Sequence, residues 1–221
     1  MPDISGNIAI LKSQIPTSVK LVAVSKTKPA SDIQVAYNSG QRAFGENRAQ
    51  ELLNKNILLP SDIEWHLIGH LQTNKVKLIV PFICMIHSID SFKLLLAINS
   101  EAQKINRVID CLLQIHIASE ETKFGFSMCD LSEILHSEDV TYLKNIRICG
   151  VMGMATFTSD DLRVRKEFLY LKKCFISLKN NYFLSNPDFK EISMGMSGDY
   201  QIAIEEGSTM IRIGSLIFGE R

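Results

Sequence analysis

No stretch of this chain of 221 residues is dominated by charge of one sign. Lysine and arginine number 24, aspartate and glutamate 24, and no basic block occurs anywhere. Proteins that track nucleic acid or dock on anionic membranes need a positive face, so neither partner is expected. Long apolar runs are missing as well. The most apolar segment, residues 78–89, is too short to cross a bilayer as a helix and is interrupted by Pro81. The start, Met1-Pro2-Asp3-Ile4-Ser5-Gly6, lacks the basic region and apolar core of a secretory signal. Cysteine is sparse. Cys84, Cys111, Cys129, Cys149 and Cys174 are odd in number and form no C-x-x-C pair. That argues against a disulfide framework or a zinc site and for reduced thiols in a cytoplasmic protein. No repeat, low-complexity tract or linker divides residues 1–221, so one domain is expected.

What the chain does have is regular alternation. Leu21-Val22-Ala23-Val24, preceded by Val19 and Lys20, ends abruptly at Ser25-Lys26-Thr27-Lys28-Pro29. Such a run suits a strand buried on both faces, as in a parallel sheet. Seven more strands are predicted over residues 42–45, 63–69, 85–89, 108–117, 146–154, 192–194 and 209–213. Helical patterns fill the gaps, and a short helix over residues 4–13 precedes the first strand. Ser31-Asp32, Thr73, Ser91 and Ser197 are predicted to open helices, Gly40 and Gly207 to end them. The clearest helix carries Val164, Phe168, Leu171, Phe175 and Leu178 at spacings of four and three. Strands alternating with helices give parallel β/α units. Eight units at this length predict an α/β chain folded as a single (β/α)8 TIM-like barrel with an extra N-terminal helix; a doubly wound open sheet is the alternative.

In such folds chemistry sits at the carboxyl ends of the strands, where Lys26 falls. A lysine leaving a buried strand is partly desolvated, and its neutral amine condenses with aldehydes. The plainer reading is a surface lysine beside a strand end. Glycines at 45, 69, 125, 153, 195 and 214 punctuate the strand ends. Met194-Gly195-Met196-Ser197-Gly198-Asp199 offers amides and a hydroxyl to an anion, and Arg212-Ile213-Gly214-Ser215 adds a guanidinium. In barrels the loops after the last two strands are the usual phosphate cradle. Either loop taken singly reads as a glycine turn with a capping serine. His66 and His70, four apart on a strand and its turn, share no helical face and have no evident third ligand, so no metal is expected. His70 reads as rim lining, His66 as a satisfied core or exterior residue, and Met152 as core or as a floor for a flat ligand. The acidic pairs at 120–121, 160–161 and 205–206 read as helix-end or solvated charges.

An amine on the first strand and a phosphate cup after the last two suggest a ligand carrying an aldehyde and a phosphate. Pyridoxal 5′-phosphate (PLP) fits. The chain resembles the YggS/PROSC family of pyridoxal phosphate homeostasis proteins through Val24-Ser25-Lys26-Thr27-Lys28, Phe44-Gly45-Glu46-Asn47-Arg48-Ala49-Gln50-Glu51 and Trp65-His66-Leu67-Ile68-Gly69-His70-Leu71-Gln72-Thr73-Asn74-Lys75. Gly150-Val151-Met152-Gly153-Met154-Ala155 and the stretch from Ser193 through Gly219 extend the likeness over nearly the whole chain. The resemblance implies a barrel similar to the N-terminal domain of bacterial alanine racemase, with Lys26 as Schiff-base lysine. It implies phosphate contacts around Ser197, Arg212, Gly214 and Ser215, and ring surroundings that include Asn47, His70 and Met152. One departure stands out: Phe124 follows Glu120-Glu121-Thr122-Lys123 where relatives often carry histidine, while Lys123 and Gly125 are kept.

Three readings compete. The chain is a carrier or buffer of PLP with PLP-dependent apoenzymes as possible receivers, a PLP-dependent racemase or decarboxylase, or a Schiff-base aldolase without cofactor. Racemases of this barrel type add a second β-domain that supplies an opposite-face base, and two-base turnover needs a group on each face. The predicted eighth strand ends about eight residues before the terminus, which favours a carrier without dedicated turnover; a monomer is expected.

Overall fold

A computed structural model describes residues 2–118 and 124–220. Eight parallel strands close into a barrel in chain order: β1 (Lys20–Val24), β2 (Ala43–Glu46), β3 (Glu64–Leu67), β4 (Met85–Ile89), β5 (Ile109–Gln114), β6 (Ile146–Met152), β7 (Glu191–Ser193) and β8 (Met210–Ile213). β8 pairs with β1, Leu21 against Ile211 and Ala23 against Ile213, which excludes the open sheet. The helices are α1 (Ile4–Gln14), ahead of the barrel, then α2 (Ala30–Asn38), α3 (Ala49–Leu58), α4 (Val76–Ile79), α5 (Phe92–Lys104), α6 (Met128–His136), α7 (Asp161–Tyr182), α8 (Tyr200–Glu205) and α9 (Ser215–Phe218).

Strand alternation splits the apolar residues into two bodies. Outward side chains such as Ala23, Phe44, Trp65, Leu67, Ile86, Leu113 and Ile211 pack under the helices. Inward ones, Val22, Ala43, Met85, Leu112, Cys149, Met152 and Met210, form a separate plug inside the barrel. Each large aliphatic so buried contributes about 1.5–3 kcal/mol. The plug makes the barrel a packed core with its chemistry confined to the ends.

Helix starts are where the structure departs from the sequence reading. α2 begins directly after Pro29, so Ser31 and Asp32 lie within its first turn and do not cap it; proline's fixed φ preorganises that entry. Ser91 occupies the cap of α5 but its side chain makes no capping bond. α8 starts at Tyr200 with Asp199 at its cap, leaving Ser197 in the preceding turn. α9 was not expected at all; one turn of helix carries no periodicity to read. Asp160 does cap α7, accepting from the Arg163 amide. Among the described residues no helix is long and apolar enough to cross a membrane.

Candidate functional site

β1 delivers the chain into a four-residue turn closed by the Lys28 amide donating to the Ser25 carbonyl at 3.0 Å. Lys26 and Thr27 are its corner. Thr27 has φ +66°, a left-handed conformation that a β-branched residue adopts at a cost of about 1–3 kcal/mol. A buried polar clamp holds it there. The Thr27 amide donates to Glu51 Oε1 at 2.6 Å. Lys55 Nζ donates to the Ser25 carbonyl at 2.8 Å and to Glu46 Oε1 and Glu51 Oε1 at 2.7 Å each. Ser25 Oγ donates to Glu46 Oε1 at 2.6 Å. Burial pushes the Glu46 carboxyl up, against the bonds from Lys55 and Ser25. Glu51 is also partly buried, but Lys55 and the Thr27 amide outweigh that and hold it below the usual range. The result is a half-buried Lys26 on a turn rigidly attached to β2 and α3. Sequence reasoning missed Glu46, Glu51 and Lys55. The available signal was Lys55 three residues after Leu52, on the stripe of α3 that faces the core.

Across the rim, the turn after β7 depends on Gly195, whose φ is +97° and where a Cβ would lie 2.6 Å from Ala203 Cβ. The Met196 amide donates to Asp199 Oδ1 at 2.5 Å, shaping the turn. Ser197 Oγ accepts from the Gly214 amide at 3.3 Å, so the turns after β7 and β8 meet. Gly214 itself lies against β1, with a Cβ there only 3.3 Å from the Val24 carbonyl oxygen. Ser215 follows, exposed. The strand carrying Lys26 and the turn carrying Ser197, Gly214 and Ser215 therefore share one sector of the rim.

Arg212 sits on the inner face of β8 in step with Met210, so the pleat turns its guanidinium into the barrel. Nη1 donates to Ser193 Oγ at 2.7 Å and Nη2 to the Gly153 carbonyl at 3.0 Å, with the residue 3% exposed. Burial lowers its pKa to about 10, against the pull of Asp199. From Ser193 Oγ the polar file runs on to His87 Nδ1 at 3.0 Å, and from His87 Nε2 to His66 Nδ1 at 2.8 Å. Both rings are fully buried and uncharged: burial drives His66 down to about 3 and His87 well below its ordinary value. His66 is thus a core residue but not a satisfied one, since among the described residues its Nε2 has no partner.

The remaining sequence candidates line other sectors. Met152 is fully buried in the plug at the top of β6. Asn47 is half-buried against Gly69, where a Cβ would stand 2.5 Å from the Asn47 carbonyl oxygen. His70, exposed on the rim, bonds Asp90 through Nδ1 at 2.8 Å and stacks on Phe124 with ring centres 4.5 Å apart. Phe124 is therefore in contact with His70; Lys123, Glu120 and Glu121 lie outside the described residues. A cavity of about 340 Å³ lined by Val108, Ile146, Phe183 and Asn186 lies at the amino ends of the strands and touches none of these groups.

Residues 2–221 match the alanine racemase N-terminal domain. The chain is 41% identical over 203 residues to the pyridoxal phosphate homeostasis protein of Aquifex aeolicus, spanning 91% of this chain and 87% of that one. It is 35% identical over 235 residues to the Escherichia coli K12 protein of the same name, covering 100% and 98%. Among solved structures, PipY of Synechococcus elongatus PCC7942, determined with PLP bound, superposes with a TM-score of 0.89 at 35% identity over 98% of this chain and 100% of PipY. Closed barrel, rim and relatives agree: the chain belongs to the alanine racemase N-terminal domain family and, within it, to the pyridoxal phosphate homeostasis proteins.

Proposed function

We propose that this chain binds PLP through Lys26 and serves in its homeostasis as a carrier or buffer, with PLP-dependent apoenzymes as receivers. The observation that carries this is the shared rim sector of the Lys26 turn and the Ser197–Gly214 contact, one offering an amine and the other amides and a hydroxyl. The names of the relatives and the PLP bound to PipY support the same ligand. The donor set fits it. When bound, PLP supplies an aldehyde that takes up primary amines. Lys26 offers its amine from a half-buried turn, and Ser197, Gly214 and Ser215 offer donors to the phosphate. Arg212 lends positive charge from beneath, its two terminal nitrogens already engaged by Ser193 and Gly153. Met152 supplies apolar floor, and Asn47 and His70 lie along the side.

Holding and releasing the cofactor needs nothing more. Turnover of an amino acid needs a positioned acid and base, each worth about 10²–10⁴ in rate. His70 is engaged by Asp90 and Phe124, and His66 and His87 are buried and uncharged. Borohydride reduction of the purified protein followed by peptide mass spectrometry should locate a pyridoxyl group on Lys26; an adduct on another lysine overturns the assignment. Saturated with PLP, the protein should show no racemase, decarboxylase or transaminase turnover across a panel of amino acids. A turnover above roughly 1 per second, well within the enzymatic range, would make it an enzyme.

A further inference from the structure

At the end of the barrel opposite Lys26, three side chains of different ligand chemistry converge. Glu64 and His66 are two apart on β3, so the pleat turns both to the inner face. Cys84 immediately precedes β4 on the neighbouring strand, its amide donating to the Trp65 carbonyl at 2.9 Å. A carboxylate oxygen, an imidazole nitrogen and the thiol sulfur of these three all lie within 4.8 Å of one another. His66 is fully buried, and its Nδ1 is taken by His87, which leaves Nε2 as the nitrogen to be used. That atom has no hydrogen-bond partner among the described residues. An unpaired buried polar atom costs about 1–3 kcal/mol. The ring that carries it stands beside the Glu64 carboxylate and the Cys84 thiol.

We propose that Glu64, His66 and Cys84 form a site for a divalent transition metal, zinc being the ion best suited, with a fourth position open to solvent. Calcium and magnesium take oxygen ligands, so a mixed nitrogen, sulfur and oxygen set excludes them. Zinc accepts all three donors in tetrahedral geometry, with bonds of about 2.0–2.3 Å and hence donors roughly 3.3–3.8 Å apart. The cluster reaches that by a modest contraction. Binding releases the Cys84 proton to solvent as the metal–sulfur bond forms, and the carboxylate and thiolate then balance the two positive charges. His87 is the outer partner that fixes the His66 ring, the arrangement metal-bound histidines use. Lys20 is the competitor. Its Nζ lies 2.7 Å from Glu64 Oε2 in a half-exposed pair, and must swing outward when the metal binds.

The test uses the purified full-length protein titrated with cobalt(II), read as a difference spectrum so that any PLP band cancels. One equivalent should give the ligand-field bands of a tetrahedral site and a thiolate charge-transfer band, both abolished by zinc. Because His66 variants risk the core, Cys84→Ser at the half-buried margin is the informative change. It should remove the charge-transfer band and weaken binding by at least the ~10–100-fold that losing an outer-shell partner produces. Cys129→Ser, on an exposed thiol of α6, should change neither. Lys20→Met should tighten binding several-fold by releasing Glu64. A spectrum that never reaches one equivalent, or that survives Cys84→Ser, overturns the site. Unchanged affinity in Lys20→Met removes Glu64 from it.

Discussion

The amide of Thr27 donates to Glu51 Oε1 at 2.6 Å, joining the corner of the Lys26 turn to the first turn of α3. Through this contact the turn that carries Lys26 is fixed to α3. Lys55 is the centre of that arrangement, bonded at once to the Ser25 carbonyl, Glu46 and Glu51.

Lys55→Met should therefore be costly beyond its size. It strands the carboxylate of Glu46, whose side chain is 0% exposed, and breaking one partner of a buried pair costs about 3–5 kcal/mol. Adding Glu46→Gln removes the stranded charge and should recover part of the loss. Urea unfolding of the two single variants and the double checks this; strictly additive losses would show that the pair is not coupled.

Acid should destabilise the fold earlier than carboxylates alone would. His66 is held at about 3 and His87 well below its ordinary value, so the unfolded chain binds protons that the folded chain refuses. The stabilisation is fully present above about pH 6.5 and is lost as pH falls from there toward the folded values, by up to about 1.4 kcal/mol per pH unit for each ring. Glu51, held low, adds stability that is present above the carboxylate range and lost through it. Glu46, held high, has the opposite sign, its contribution fading as pH rises. Unfolding free energies between pH 4.5 and 7.5 should slope upward in the wild type and less steeply in His66→Gln. Equal slopes would contradict the assignment.

Ser197 and Arg212 should separate on comparing PLP with pyridoxal. Ser197→Ala removes a hydroxyl from the turn and should weaken PLP by roughly 0.5–1.5 kcal/mol while barely affecting pyridoxal. Arg212→Ala should weaken both ligands alike and also cost about 1–3 kcal/mol of stability, since Ser193 and Gly153 lose their donor. A phosphate-selective loss in Arg212→Ala would return it to the cup.

Much of this was legible beforehand. β4 occupies the residues its apolar run marked out, and Lys26 follows the end of β1 as its sequence implied. Hydrophobic patterning carries that information because strands and helices bury faces at fixed periods. The inward parity of Arg212 was open to counting as well: it lies two residues before Gly214 and two after Met210 on β8. Of the Glu46–Lys55–Glu51 clamp only the place of Lys55 on the core-facing stripe of α3 was legible; its assembly, like that of the Glu64–His66–Cys84 cluster, lay beyond sequence reasoning. Both depend on how neighbouring elements are set against each other, such as His66 standing opposite Met85 across β3 and β4. No single segment encodes that.

The file of Arg212, Ser193, His87 and His66 has a property none of its members has separately. Two neutral imidazoles share the 2.8 Å contact, so one proton lies between them and the other proton of each ring follows from it. Either His66 carries its proton on Nδ1, leaving Nε2 bare and His87 donating to Ser193, or the whole set is reversed and Ser193 donates to His87. Nothing intermediate keeps both contacts. The two sets hold the same number of protons, so the tautomer of His66 at the floor of the barrel decides whether the Ser193 hydroxyl accepts from His87 or donates to it beneath the mouth, and the file has one of two polarities along the barrel.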